Sequence, residues 1–238
     1  MTNKLDIVKE ACVDKHTLDT IRYLVNGSFI RVVNYHNTDP VDVGQFEKEV
    51  AAYAKFYRPV SIADIDRFFE ERKWPYEKPG LIPAVFEGFR NQYDVYLKVL
   101  EKYGFRAWYY IPSYFMDVPV EQQLEFTKQH ELTVYRPEVY PDRRYAMNWD
   151  EVREIAKKHE ICCHTGHHFQ IHTDTSDEDM YNEIVLAKRH LEEKIGRNVD
   201  VFCWLYGEEF AYNVRAQKYL REAGYRYVVS NLKMEKIK

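Results

Sequence analysis

The chain has 238 residues, with 34 basic against 38 acidic side chains and a formal charge of -4, a balance too mild to imply nucleic acid or an anionic membrane as partner. That length exceeds one ordinary domain but suits a single α/β barrel, and it is ample for a buried core. No apolar run approaches membrane-spanning length and the start, Met1–Asp6, lacks the apolar stretch of a signal peptide, so the expected location is cytoplasmic.

Along the chain, the first 28 residues carry helical spacing (Leu5, Val8, Cys12; Leu18, Ile21, Leu24) and close on the turn-like Asn26-Gly-Ser. Phe29–Tyr35 reads as a strand. Helices are expected over Phe46–Tyr57 and Ile62–Lys73, the second capped by Ser61. Leu81–Phe86 is apolar and stops at Glu87-Gly88, the pattern of a buried strand, and a helix from about Asn91 to Tyr103 ends at Gly104. Arg106–Ile111 predicts a strand, Pro119–His130 a helix and Leu132–Tyr135 a short strand. Asn148 caps a helix to about Lys158, which feeds the strand Ile161–Cys163.

Ser176–Asp179 resembles a capping box before a long helix that Gly196 closes after Ile195. A strand over Val199–Trp204, a helix over Asn213–Ala223 and a last strand over Tyr225–Ser230 complete the pattern. The cysteines Cys12, Cys162, Cys163 and Cys203 have neither zinc-ribbon nor disulfide spacing and read as reduced, small buried residues. The 20 tyrosines read first as core and strand filling, and second as stacking platforms for sugar rings.

About seven strands separated by helices predict a parallel sheet with helices outside, open or closed into a barrel, in one domain over residues 29–238 preceded by a helical extension over residues 1–28. In such folds the site lies at the C-terminal strand ends. His36, Glu87, His164, His168, Tyr206 and Glu208 follow strands and would line one mouth. His164, His167, His168 and His172 place four of the nine histidines within nine residues, and neutral imidazoles at i and i+4 can converge on a zinc-like ion.

These segments together resemble the polysaccharide deacetylases, the NodB-homology or carbohydrate esterase family 4 domain. Val32-Val-Asn-Tyr35-His36 is similar to that family's early strand ending in Tyr-His, and the region from Phe46 to Phe69 to its following helix pair. Ala84-Val-Phe86-Glu87-Gly88 aligns on T-F-D-D-G, His164-Thr-Gly-His-His168 on H-[ST]-x-x-H, and Phe202-Cys-Trp-Leu-Tyr206-Gly207 on F-x-x-P-Y-G. The resemblance implies a distorted (β/α)7 barrel and hydrolysis of acetyl groups on carbohydrates with a divalent metal, zinc being the ion suited to these ligands. It implies Glu87, His164 and His168 as metal ligands, the backbone at Tyr206 as oxyanion donor, and a substrate cleft that includes His36 and Tyr206.

The catalytic motifs are degenerate. Phe86 stands where the family has its aspartate base, Cys203 where one branch has an arginine, and no Leu-His acid follows the last matched strand before Lys238. Glu208 and Glu209 are candidate replacement bases. Three readings stay open: a metal-dependent carbohydrate deacetylase with an unconventional base, an inactive relative that binds carbohydrate or metal, and a metal-independent hydrolase of another C–N bond.

Overall fold

In a computed structural model, residues 26–206, 214–230 and 233–237 are described. Most of the predicted helical extension, together with Gly207–Asn213, lies outside them. Strands β1 (Ile30–Tyr35), β2 (Arg58–Pro59), β3 (Gly80–Phe86), β4 (Trp108–Ile111), β5 (Glu160–Cys163), β6 (Val201–Cys203), β7 (Tyr227–Val229) and β8 (Met234–Lys236) form one sheet. Its order is β1-β3-β4-β5-β6-β7-β8, with β2 also on β3. All pairings are parallel except β7 with β8. The result is a curled half-barrel of the expected α/β type, and among the described residues no pairing closes β8 back onto β1.

The strands alternate strictly, as a pleat with both faces buried requires. Leu81 and Val85, Tyr109 and Ile111, Ile161 and Cys163, Phe202 and Val228 face the helices in the larger core. Ile82 and Ala84, Trp108 and Tyr110, Cys162, Cys203 and Tyr227 face the concave side. The adjacent Cys162 and Cys163 thus fall on opposite faces, and with Cys203 they are buried free thiols.

The helices are α1 (Val43–Phe56), α2 (Ile62–Glu71), α3 (Lys98–Lys102), α4 (Val120–Gln129), α5 (Trp149–Ala156), α6 (Asp177–Met180), α7 (Ala187–Ile195) and α8 (Ala216–Ala223). Ser61 and Asn148 make reciprocal capping boxes with Asp64 and Glu151, satisfying N–H groups that a helix start leaves orphaned. At α6 the Ser176 hydroxyl accepts from the Asp179 N–H. Gly196 ends α7 at φ 71°, a conformation that costs a glycine little. Two of the predicted helices are not α-helical throughout: π-helical turns occupy Gln92–Leu97, ahead of α3, and Tyr181–Leu186, between α6 and α7.

Two expectations need correction. Leu132–Tyr135 is a loop, because the β-favouring residues there have no strand edge to pair with, and the Thr133 carbonyl accepts instead from Asn37 Nδ2. The strand at Tyr227–Val229 is followed by the antiparallel β8, which the charged sequence around Glu235 did not suggest.

Candidate active site

Because β1, β3, β5 and β6 are parallel, their C-terminal ends share one edge of the half-barrel. His36 follows β1, Glu87 follows β3, His164 follows β5, and Tyr206 lies three residues after β6. All four, with His168, Phe86 and Glu131, line one cavity of about 1210 Å³ that runs along the concave face. Five of the six predicted mouth residues are therefore brought together, and the sixth, Glu208, lies with Glu209 outside the described residues.

The two imidazoles are oriented from behind. His164 Nδ1 donates to the Cys203 carbonyl at 3.1 Å, and His168 Nδ1 donates to the His130 carbonyl at 2.7 Å. A carbonyl can only accept, so each ring carries its proton on Nδ1 and keeps the Nε2 lone pair for a ligand, the arrangement of metal-binding histidines. Burial pushes His164 down to about 3 and His168 down to about 4, so both are neutral at pH 7. Their ring centroids are 5.2 Å apart.

Glu87 is buried, and desolvation raises its carboxyl to about 8. His36 Nε2 lies 3.9 Å from Glu87 Oε1, an ion-pair distance by geometry. Burial lowers the His36 pKa, so at neutral pH the histidine is neutral and the carboxyl protonated, and we read the contact as a neutral pair. A buried carboxyl without a cation is the form that a divalent ion would ionise. Two neutral imidazoles and this carboxyl fit a zinc-like ion in donor chemistry. Among the described residues no three His, Cys, Asp or Glu side chains stand together as a finished metal cluster.

Phe86 fills the position beside Glu87 with an apolar ring. It stacks between His36 (centroids 5.1 Å apart, planes 12° from parallel) and Tyr110 (4.7 Å and 16°), and presents an edge to His164 at 5.3 Å. No proton can be taken by that ring.

Backbone strain concentrates at the same edge. Seven non-glycine residues have positive φ among the described residues, and five of them line the cavity: Arg72 (54°), which ends α2, and Glu87 (86°), Glu131 (55°), His168 (60°) and Tyr206 (58°). A sixth, the β-branched Thr165 at 66°, lies between the two histidines. Such conformations cost about 1–3 kcal/mol each and persist where surrounding contacts over-determine them, which marks this edge as a site.

Several residues carry no motif that the sequence reading could use. The Glu131 carboxylate accepts from the Tyr206 hydroxyl across the mouth, and this contact raises the tyrosine to about 12. His167, a neighbour of the pair, turns away to Glu183, its Nδ1 2.6 Å from Oε1 and its ring against Tyr114.

A polysaccharide deacetylase family model matches residues 86–228. The chain is 24% identical over 197 residues to poly-β-1,6-N-acetyl-D-glucosamine N-deacetylase of Escherichia coli K12, covering 71% of this chain and 27% of that protein. It therefore spans about a quarter of that relative's length. Similar folds occur in a Streptococcus pyogenes deacetylase, PplD, in complex with acetate (14% identity, TM-score 0.64, covering 87% and 86% of the two chains). A de-N-acetylase from Aggregatibacter actinomycetemcomitans is likewise similar (18%, 0.65, covering 87% and 90%).

Proposed function

From the premise that this chain belongs to the polysaccharide deacetylase family, we propose that it is a metal-dependent hydrolase of acetyl groups on a carbohydrate, working without the family's aspartate base. The observation that carries the metal site is the pair of Nδ1–carbonyl bonds that orient the buried, neutral His164 and His168 with Nε2 free for coordination. His164, His168 and Glu87 would hold a divalent ion, zinc by ligand type. Such an ion supplies Lewis acidity toward an acetamide or acetyl ester carbonyl.

The chain's own groups do the rest. Burial of Glu87, His164 and His168 keeps water away from the ligands, and Phe86, packed against Tyr110, keeps that wall apolar. Tyr206 and Glu131, joined across the mouth, place a phenol and a carboxylate where a sugar's hydroxyls would enter. With Phe86 at the base position, no carboxylate stands there to take a proton from water, so slow turnover is expected.

The Phe86 ring also favours a second reading, an inactive relative that binds metal and carbohydrate through the same cleft. Acetate release from N-acetylated and O-acetylated oligosaccharides, with zinc-loaded tag-free protein, separates the two. Turnover that Glu87→Ala abolishes supports the hydrolase. Stoichiometric zinc and measurable oligosaccharide binding without acetate release would replace it with the binding module.

A further inference from the structure

We propose that Gln92 and Glu183 are a matched pair of positioning residues, each delivered by a π-helical turn and each clamping one of the two loops that carry the candidate ligands. Among the described residues the two π-helical turns are Gln92–Leu97 and Tyr181–Leu186. Each contributes a polar side chain that is almost wholly buried, Gln92 at 0% and Glu183 at 5% exposure. A π-turn inserts one residue into a helix, which rotates the remaining turns by about 100° and is seldom kept without a function.

Gln92 brackets Glu87. Its Oε1 accepts from the Gly88 N–H at 3.1 Å, and its Nε2 donates to the Phe86 carbonyl and to the His36 carbonyl at 3.2 Å. One amide thus ties the ends of β1 and β3 together and grips the peptides on both sides of the strained Glu87. Glu183 does the same between the histidines. Its Oε2 accepts from the Gly166 and His167 N–H groups at 2.7 and 2.9 Å, and its Oε1 meets His167 Nδ1.

Three donors satisfy a buried carboxylate that would otherwise be costly. The positive φ of Thr165 and His168 lies on either side of the two clamped peptides. The clamps supply the over-determination that such strain requires. Neither residue touches the cavity, so each acts through the ligands and not on substrate.

The functional consequence rests on the metal site proposed above, and the test separates the two. Zinc affinity is measured by chelator competition on tag-free Glu183→Gln and Gln92→Met. The control is Gln123→Met, which removes a buried amide of the same kind, accepting from the Tyr145 and Ala146 N–H groups. The clamp variants should lose about 10–100-fold in zinc affinity, while the control loses comparable melting temperature with unchanged affinity. Unchanged affinity in the clamp variants, or an equal loss in the control, overturns the proposal.

Glu183→Asp, which keeps the charge on a shorter arm, takes the place of Glu183→Gln if the latter does not fold. If the wild type binds no zinc, the metal reading fails by itself and the clamps are judged on amide hydrogen exchange. Faster exchange at Gly88, Gly166 and His167, with β5 unaffected, supports them; unaltered protection at those amides refutes them.

Discussion

The Phe86 ring lies face to face with Tyr110, centroids 4.7 Å apart and planes 16° from parallel, at the position that the family resemblance assigns to a carboxylate base. The contact uses the inward face of two neighbouring parallel strands, where Phe86 and Tyr110 are register partners. An apolar wall and a catalytic base are mutually exclusive there, and the chain has the wall.

Phe86→Asp should therefore raise the rate of acetate release from an acetylated oligosaccharide by about 100-fold or more, the usual contribution of a positioned general base. The variant should also lose about 1–3 kcal/mol of stability, somewhat less than the about 3–5 kcal/mol for truncating a fully buried Phe. A folded, zinc-loaded variant with no gain would show that the missing base is not what limits the reaction.

Much of this was legible in the sequence because the signals are local. Strand ends carry His36, Glu87 and His164, and parallel β–α order alone places them on one edge. What was not legible is what holds them. Glu183 reads as an ordinary residue of a helix begun at Ser176, since a one-residue shift in apolar spacing over so short a stretch does not by itself announce a π-turn. Glu131 belongs to no motif and reaches Tyr206 only through the fold. Leu132–Tyr135 has strand-like residues but no partner edge, a fact of tertiary placement that local propensity cannot supply.

Zinc binding should release close to one proton at pH 7. Without a cation Glu87 titrates near 8, so at pH 7 it is mostly protonated and must ionise to coordinate. His164 and His168, near 3 and 4, are already neutral and release none. Calorimetric titration in buffers of different ionisation enthalpy reads this number, and Glu87→Gln should remove it. Zinc at 100-fold over its Kd should stabilise the fold by about 2.7 kcal/mol, an effect His164→Ala should abolish.

His159 gives the fold an acid-sensitive point away from the site. Its buried ring accepts from the Ala107 N–H through Nδ1 at 3.0 Å, and desolvation lowers its pKa from 6.5 to about 4. The folded state then binds fewer protons than the unfolded state between these values, so this stability is fully present above pH 6.5 and is lost as pH falls toward 4. The loss amounts to about 3 kcal/mol by the usual 1.36 kcal/mol per pKa unit. His159→Gln keeps an acceptor but no titrating group, so its stability should change less over that window. Parallel urea titrations of variant and wild type at pH 7 and pH 4.5 measure the difference, and equal slopes would count against this account.

Gly166→Ala tests how tightly the histidine loop is packed. A Cβ on Gly166 would come within 2.7 Å of Tyr114 Cε2 and 3.1 Å of Glu183 Oε2. The first belongs to a ring that His167 also packs against, and the second is the carboxylate oxygen that accepts the loop's N–H groups. Neither can retreat without breaking another contact, so the loop itself must shift. Overpacking of this kind costs about 1–3 kcal/mol. Because His164 and His168 stand two residues to either side, the same shift should weaken zinc binding beyond what the stability loss alone would cause. Melting temperature without metal and zinc affinity by competition, measured on one preparation, separate these effects. Wild-type affinity in a destabilised variant would show that the ligands are held by their strand and carbonyl contacts, independently of the loop between them.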